Sequence, residues 1–363
     1  MIIGVPREIK DNEYRVGMTP AGVKTLIQSG NKVLVEASAG IGSGFEDKDY
    51  IDAGASITSA PDIYSSADMI VKVKEPLASE YAMLREGQIL FTYLHLAPNI
   101  ELTDALIDKK VIAIAYETIE KDGRLPLLAP MSEIAGRMSV LIGAYYLQRP
   151  EGGMGLLCTG MPGVCPAKVV ILGAGNVGSS AARVAIGLGC QVVVMNRGIE
   201  RLHAIDELFQ GRVMTLSMDN IDKEVKEADV LIGAVLIPGS RTPRLVTRQM
   251  VSKMKRGSVI VDVSVDQGGC IETTRPTTHS NPVYEVHAVI HYCVTNMPGA
   301  FPRTSTLVLT NCTISYIAEI ASMGFERAVR KDDSLYKGVN LYRGAVIHPA
   351  LASSIGVEPG VIR

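Results

Sequence analysis

Short apolar runs alternate with amphipathic stretches from one end of the chain to the other. Residues 2–5 are apolar and long enough for one buried strand. Thr19 before Pro20 marks a helix start, with Thr19 as N-cap and Pro20 at the first helical position, and the pattern runs to Leu26. Residues 32–36 predict the next strand, followed by a glycine-rich loop at 40–44. Further strands are predicted at 68–74 (DMIVKVK), 88–96 (QILFTYLHL) and 111–116, with a helix over 101–109. Strands and helices in alternation imply a parallel sheet covered on both faces. A long helix is expected at 132–149, with Ser132 as N-cap, and Pro126 and Pro130 place a domain change near residue 130.

The most informative stretch is 168–197, KVVILGAGNVGSSAARVAIGLGCQVVVMNR. A strand-length apolar run leads into Gly173-Ala174-Gly175-Asn176-Val177-Gly178, an alanine-rich helical pattern follows, and a second apolar run closes a β-α-β unit. In such a G-x-G-x-x-G loop Gly173 permits the tight turn, Gly175 lets backbone N–H groups approach a pyrophosphate, and Gly178 lets helix and strand pack closely. The helix N-terminus then offers unpaired N–H groups to that phosphate. Downstream, helices are expected at 200–209 and 246–255, and strands at 213–216, 228–235, 258–266 and 286–294. Residues 294–302 read as an irregular apolar loop, and a long helix at 304–322 returns to the first domain. The tail from 335 reads as helical with a short extended end. The expected fold is α/β, with two doubly wound Rossmann-like domains, parallel sheets and a cleft between them. Residues 1–130 plus 304–363 would form a substrate domain and 131–303 a dinucleotide-binding domain.

Composition narrows the function classes. A chain of 363 residues, 47% hydrophobic and 20% charged, describes a globular enzyme of two domains. A formal charge of −2 gives no reason to expect nucleic acid or an anionic membrane as partner, and the absence of tryptophan argues against base stacking. The N-terminus turns charged too soon for a signal peptide, and no apolar run reaches the roughly 18 residues of a spanning helix. None of the six cysteines forms a C-x-x-C pair; Cys165, Cys190 and Cys293 lie in or beside apolar stretches as small hydrophobes. A reduced, cytoplasmic protein is the expectation.

Candidate chemistry collects at strand ends. Arg15 follows the first strand, Lys74 ends DMIVKVK and His95 ends QILFTYLHL. In parallel sheets ligands gather at the carboxyl ends of strands, so these three residues could line one crevice. Singly, Arg15 and Lys74 also read as surface charges and His95 as a core histidine. In 258–266 (SVIVDVSVD), Val259, Val261, Val263 and Val265 alternate with Asp262, Ser264 and Asp266, which points the polar face of a parallel strand toward a functional site. Asp266 then reads as catalytic or as the cap of the following turn. His287 and His291 lie on a predicted strand, so no H-E-x-x-H zinc site is expected, nor any other metal. Asn196 stands where NAD-binding units usually carry an acidic residue for the ribose hydroxyls, with Arg197 beside it. An amide no longer repels a 2′-phosphate and an arginine could pair with one; the other reading is a neutral change at a solvent-facing turn.

The segments MIIGVPREIKDNEYRVGMTP, VKVKEP, LFTYLHLA, AYETIE, PMSEIAGRMSV, GAGNVG, IGAVLIPG, VDVSVDQGGC, RPTTHSNPVY and NMPGA resemble, in order and over nearly the whole chain, the bacterial L-alanine dehydrogenase family. The resemblance implies reversible, NAD-dependent oxidative deamination of L-alanine to pyruvate and ammonium by a homohexamer. It implies that Arg15 and Lys74 hold the substrate's carboxylate and carbonyl, that His95 exchanges a proton at the substrate oxygen, and that Asp266 is its partner. Ser132, Val177, Arg201, Val235, Leu236, Arg275, Asn296 and Met297 match cofactor-contacting positions. Asn176 of the glycine loop, the 263–266 segment (Val263, Ser264, Val265, Asp266), and Val294 with Thr295 complete the expected cofactor set. Asn196 departs from the family's usual Asp, which leaves NADP use open. The nucleotide-binding subunits of proton-translocating transhydrogenase share this fold without the same chemistry; His95, Lys74 and Asp266 together favour a dehydrogenase. Another amino-acid dehydrogenase is the remaining alternative.

Overall fold

The computed structural model describes residues 1–235 and 242–362. The chain divides into two compact units, Met1–Met131 with Phe301–Arg363, and Ser132–Ala300.

In the first unit the chain lays down β1 (Ile2–Val5), α1 (Pro20–Gln28), β2 (Lys32–Glu36), β3 (Ser56–Thr58), β4 (Met69–Val71), β5 (Ile89–Thr92) and β6 (Ile112–Ala115). Thr19 caps α1 as its sequence implies, its hydroxyl accepting from the Gly22 N–H at 3.2 Å. The central strands are apolar on both faces: Ile3, Val5, Ile70, Leu90, Phe91 and Ile114 are all fully buried.

Helix α2 (Ala129–Tyr146) carries the chain onward into the second unit. It begins three residues before Ser132, which is therefore inside the first turn and not the N-cap expected. Gly136 and Gly143, seven apart on one face, leave no room for a Cβ against the Val177 carbonyl and the Val230 side chain. The α2 backbone can therefore lie directly on its neighbours. The second unit comprises β7 (Lys168–Leu172), α3 (Asn176–Gly187), β8 (Gln191–Met195), α4 (Ile199–Phe209), β9 (Met214–Leu216), β10 (Val230–Gly233), β11 (Val259–Asp262), β12 (Val283–Val286) and β13 (Val289–Tyr292). Helix α5 (Pro302–Met323) then leads to β14 (Val339–Tyr342) and β15 (Ala345–Val346) in the first unit.

Both sheets share one plan. The first runs β15-β14-β6-β5-β4-β1-β2-β3 and the second β12-β13-β11-β10-β7-β8-β9. Each contains the doubly wound order, reversing between β1 and β4 in one and between β7 and β10 in the other. The sheets are parallel except at one edge, where β14 pairs antiparallel with both β6 and β15 in the first and β12 pairs antiparallel with β13 in the second.

Several elements differ from expectation. The tail is not chiefly helical, since β14 pairs with β6 and closes that edge of the sheet. The run 286–294 is not one strand: left-handed His287 (φ 55°) and Ala288 (φ 59°) turn the chain back between β12 and β13. The helix expected at 246–255 shrinks to Arg248–Val251. Strand β11 ends at Asp262, and Val265–Gln267 forms a 3-10 turn, so the alternation of 258–266 does not continue through Asp266. Cys165 is exposed rather than part of an apolar core. Among the described residues no helix is long and apolar enough to cross a membrane.

Candidate active site

In the first unit the carboxyl ends of β1, β4 and β5 carry Arg15, Lys74 and His95. Arg15 is buried, at 2% exposure. Glu13 takes two hydrogen bonds from its guanidinium, from Nε at 2.6 Å and from an Nη at 2.5 Å. A second Nη lies 3.3 Å from the Met131 sulfur. Burial opposes the charge on Arg15, but the Glu13 carboxylate outweighs it and holds the guanidinium above its ordinary value. Lys74 is shifted the other way. Burial, reinforced by the nearby Arg15 charge, lowers its ammonium below the ordinary lysine value. Both causes disfavour the charged form, since the group is held out of water beside a like charge.

His95 is not a core histidine. Its side chain is 47% exposed, its backbone is left-handed (φ 48°), and its ring stacks on Tyr93 with centroids 6.1 Å apart. The backbone is held by Glu117, which accepts from the His95 N–H at 2.6 Å and the Leu94 N–H at 3.2 Å. The same carboxylate lies 3.8 Å from His95 Nδ1. Tyr93 is fixed in turn by its hydroxyl, which donates to the Leu127 carbonyl at 2.5 Å.

Each candidate is thus set by a glutamate that the sequence pattern left unremarked: Glu13 for Arg15, Glu117 for His95 and Glu8 for Lys74. Glu8 accepts from the Val73 N–H at 2.6 Å and the Lys74 N–H at 3.2 Å, and pairs with buried Lys72 at 3.3 Å. Lys72 also pairs with Glu80 at 2.9 Å, to which the Tyr64 hydroxyl donates at 2.6 Å. Only Glu13 lies in the same charged segment as the residue it holds; Glu8 and Glu117 come from segments remote from Lys74 and His95.

In the second unit the loop after β7 fits a dinucleotide. Gly173 has φ +109°, and a Cβ there would meet the Ala234 carbonyl carbon at 2.8 Å, so no other residue suits the turn. A Cβ on Gly178 would collide with the Gly173 carbonyl, which is how α3 packs against its own strand. Gly175, the N-cap of α3, faces open space, where a side chain would fill the phosphate cradle. Asn196, at the end of β8, bridges two turns: its Nδ2 donates to the Gly198 carbonyl at 3.0 Å, and its Oδ1 lies 3.4 Å from the Ala174 N–H. Arg197 and Arg201 are exposed nearby in sequence.

Asp266 is exposed in the turn that follows β11, and that turn is anchored from beneath by Asp262. Val235 follows β10 directly; Leu236 lies outside the described residues. Arg275 stacks over the Tyr284 ring at 4.3 Å and donates its N–H to the Tyr284 hydroxyl at 2.8 Å. His279 Nε2 lies 2.9 Å from the Asn296 carbonyl, and Val294 and Met297 are buried beside it in sequence. His291 is a core residue: both ring nitrogens have partners, Thr273 at 2.7 Å and the Val289 carbonyl at 2.9 Å, and burial pushes its pKa down to about 4. Among the described residues no group of three or more histidine, cysteine or acidic side chains could hold a metal.

Comparison with known proteins places both units in one family. Residues 4–135 match the alanine dehydrogenase/PNT N-terminal domain and residues 139–349 the C-terminal domain of the same family. The chain belongs to the alanine dehydrogenase/PNT family. It is 53% identical to an alanine dehydrogenase of Methanococcus maripaludis, over 98% of this chain and 96% of that one. With an alanine dehydrogenase of Staphylococcus haemolyticus the identity is 52%, over 99% and 97%. A solved L-alanine dehydrogenase superposes with a TM-score of 0.95 at 51% identity, covering 98% of this chain and 99% of that one. A transhydrogenase from Sinorhizobium meliloti superposes with a TM-score of 0.83 at 28% identity, over 96% and 100%. Family membership accounts for both doubly wound sheets.

Proposed function

We infer that this protein is an NAD-dependent L-alanine dehydrogenase, interconverting L-alanine with pyruvate and ammonium. The observation that carries the reading is the grouping of Arg15, Lys74 and His95 at strand ends of one sheet, each held by its own carboxylate, in a chain so close to alanine dehydrogenases. The nicotinamide, when bound, takes the hydride from the substrate Cα. The chain's own residues do the rest. Backbone N–H groups at the start of α3 would hold the pyrophosphate, and Asn196 would be the group nearest in sequence to the adenosine ribose site. Arg15 pairs with the substrate carboxylate, and its rigid anchoring by Glu13 orients that pair.

Lys74, its ammonium eased toward deprotonation, donates a hydrogen bond to the oxygen that becomes the pyruvate carbonyl. His95 exchanges the proton at that oxygen as the imino acid is hydrated and ammonium leaves. Asp266 orients the attacking water or the departing amine. Val263, Ser264, Val265, Arg275, Val294, Thr295, Asn296 and Met297 belong to the cofactor side, with Ser132. The same reading extends to a cytoplasmic location and to a homohexamer, whose mass light scattering of the purified protein tests.

The decisive experiment is the initial rate of cofactor reduction by L-alanine, beside a panel of other amino acids. Turnover with L-alanine that falls by about 10²–10⁴-fold in His95→Ala and Asp266→Ala is the expected result. Tight NADH binding without any reduction by L-alanine would overturn the reading.

A further inference from the structure

Strand β11 ends in a carboxylate with no access to water. Asp262 is 0% exposed. Its Oδ1 accepts from the Ser264 N–H at 3.0 Å; its Oδ2 accepts from the Cys270 N–H at 3.2 Å and from the Thr274 hydroxyl at 2.7 Å. One side chain therefore closes the 263–270 loop from both ends. Inside the loop, Gln267 and Gly269 both donate backbone N–H groups to the Ser264 carbonyl, at 3.0 and 3.1 Å, and Gly268 donates to the Val265 carbonyl at 3.1 Å. Exposed Asp266 stands on this turn.

The space around the carboxylate is shaped to it. A Cβ on Gly233 would lie 2.7 Å from Oδ1, and one on Gly269 would lie 2.8 Å from Oδ2. Burial pushes the Asp262 pKa up to about 6, and the bonds from Thr274, Ser264 and Cys270 only partly offset it. An apolar side chain of the same size would avoid that penalty but could not accept three hydrogen bonds.

We propose that Asp262 is a positioning residue for the reaction, fixing the loop that presents Asp266. This rests on Asp266 acting in catalysis, as argued above. Asp262 touches neither substrate nor cofactor; it acts through the loop alone. The phosphate-binding turn after β7 is built separately, from Gly173 to Gly178, so loss of Asp262 separates catalysis from anchorage of the nucleotide.

The test compares Asp262→Asn, Thr274→Val, Thr274→Ser and Asp266→Asn, measuring kcat, KM and the affinity for ADP-ribose, which lacks the nicotinamide ring. Asp262→Asn is expected to lower kcat at least about tenfold while ADP-ribose affinity stays within about threefold. Thr274→Val, which removes one bond to the carboxylate, lowers kcat by a smaller factor, and Thr274→Ser restores it. Wild-type kcat in Asp262→Asn beside an inactive Asp266→Asn overturns the positioning role and leaves the catalytic reading standing. A fully active Asp266→Asn overturns the reading beneath it. Equal losses of kcat and ADP-ribose affinity mark Asp262 as merely structural. If Asp262→Asn does not fold, the two Thr274 variants decide alone: equal kcat in Val and Ser overturns the proposal.

Discussion

Replacing Lys72 by methionine isolates the buried charge network that supports Lys74. Lys72 is fully buried and stands between two carboxylates, 3.3 Å from Glu8 and 2.9 Å from Glu80, themselves almost without exposure. Its ammonium is held above its ordinary value: burial opposes the charge, and Glu8 and Glu80 together outweigh burial. At these separations each pair attracts by about 5 kcal/mol at an effective dielectric constant near 20. Methionine fills the volume but strands two acids that the lysine neutralised. Breaking a buried pair in this way costs about 3–5 kcal/mol. For a unit of this size that lowers Tm by roughly 6–20 °C.

The pH dependence has a defined sign. Burial already raises Glu8 above the ordinary carboxylate value, and removal of Lys72 raises it further. A carboxyl with a raised folded pKa gives stability that is present in acid and lost as pH rises through that value. The deficit of Lys72→Met therefore grows as pH rises above the ordinary carboxylate range. Adding Glu80→Gln removes one stranded charge and recovers part of the loss. Because Glu8 also accepts the Lys74 N–H, KM for L-alanine rises in the single variant. Thermal unfolding by circular dichroism across pH is the assay. A Tm change below about 2 °C at neutral pH, or a deficit equal at both ends of the pH range, refutes the reasoning.

Two further outcomes follow from the second unit. Gly178→Ala forces a methyl group onto the Gly173 carbonyl, so NADH affinity falls at least about tenfold and stability by about 1–3 kcal/mol; unchanged fluorescence titration with NADH would contradict this. An amide at Asn196 does not repel a 2′-phosphate as a carboxylate would, and Arg197 is exposed beside it, so the expected outcome is a kcat/KM with NADP above about one per cent of that with NAD, a gap under about 2.7 kcal/mol. Asn196→Asp sets a carboxylate against the Gly198 carbonyl that the amide now donates to, and sharpens NAD preference; parallel initial rates with the two cofactors decide it.

The sequence by itself determined the elements with local physics. The run of strand, glycine turn and alanine-rich helix at 168–187 is set locally by the positive φ of Gly173 and the close approach of Gly178 to the Gly173 carbonyl, while the Ala234 carbonyl against Gly173 is contributed by the fold. Thr19 before Pro20 caps a helix for the same reason. The strand-end positions of Lys74 and His95 were legible too, since the apolar runs DMIVKVK and QILFTYLHL lead up to them; the burial of Arg15 was not. Tertiary structure alone decided what alternation cannot encode. The pattern 258–266 continues past Asp262, but the chain leaves the sheet there because Asp262 takes up backbone N–H groups that a longer strand would have paired elsewhere. His287 and Ala288 break a smooth apolar run because β13 must pair with β11 as well as β12. The strand pattern carries no sign that Glu8 and Glu80 enclose Lys72, and of the two readings of His95 the exposure of its side chain removes the core one. Glu8 comes from a segment remote from Lys72 and Glu117 from one remote from His95, and only folding brings these groups within reach.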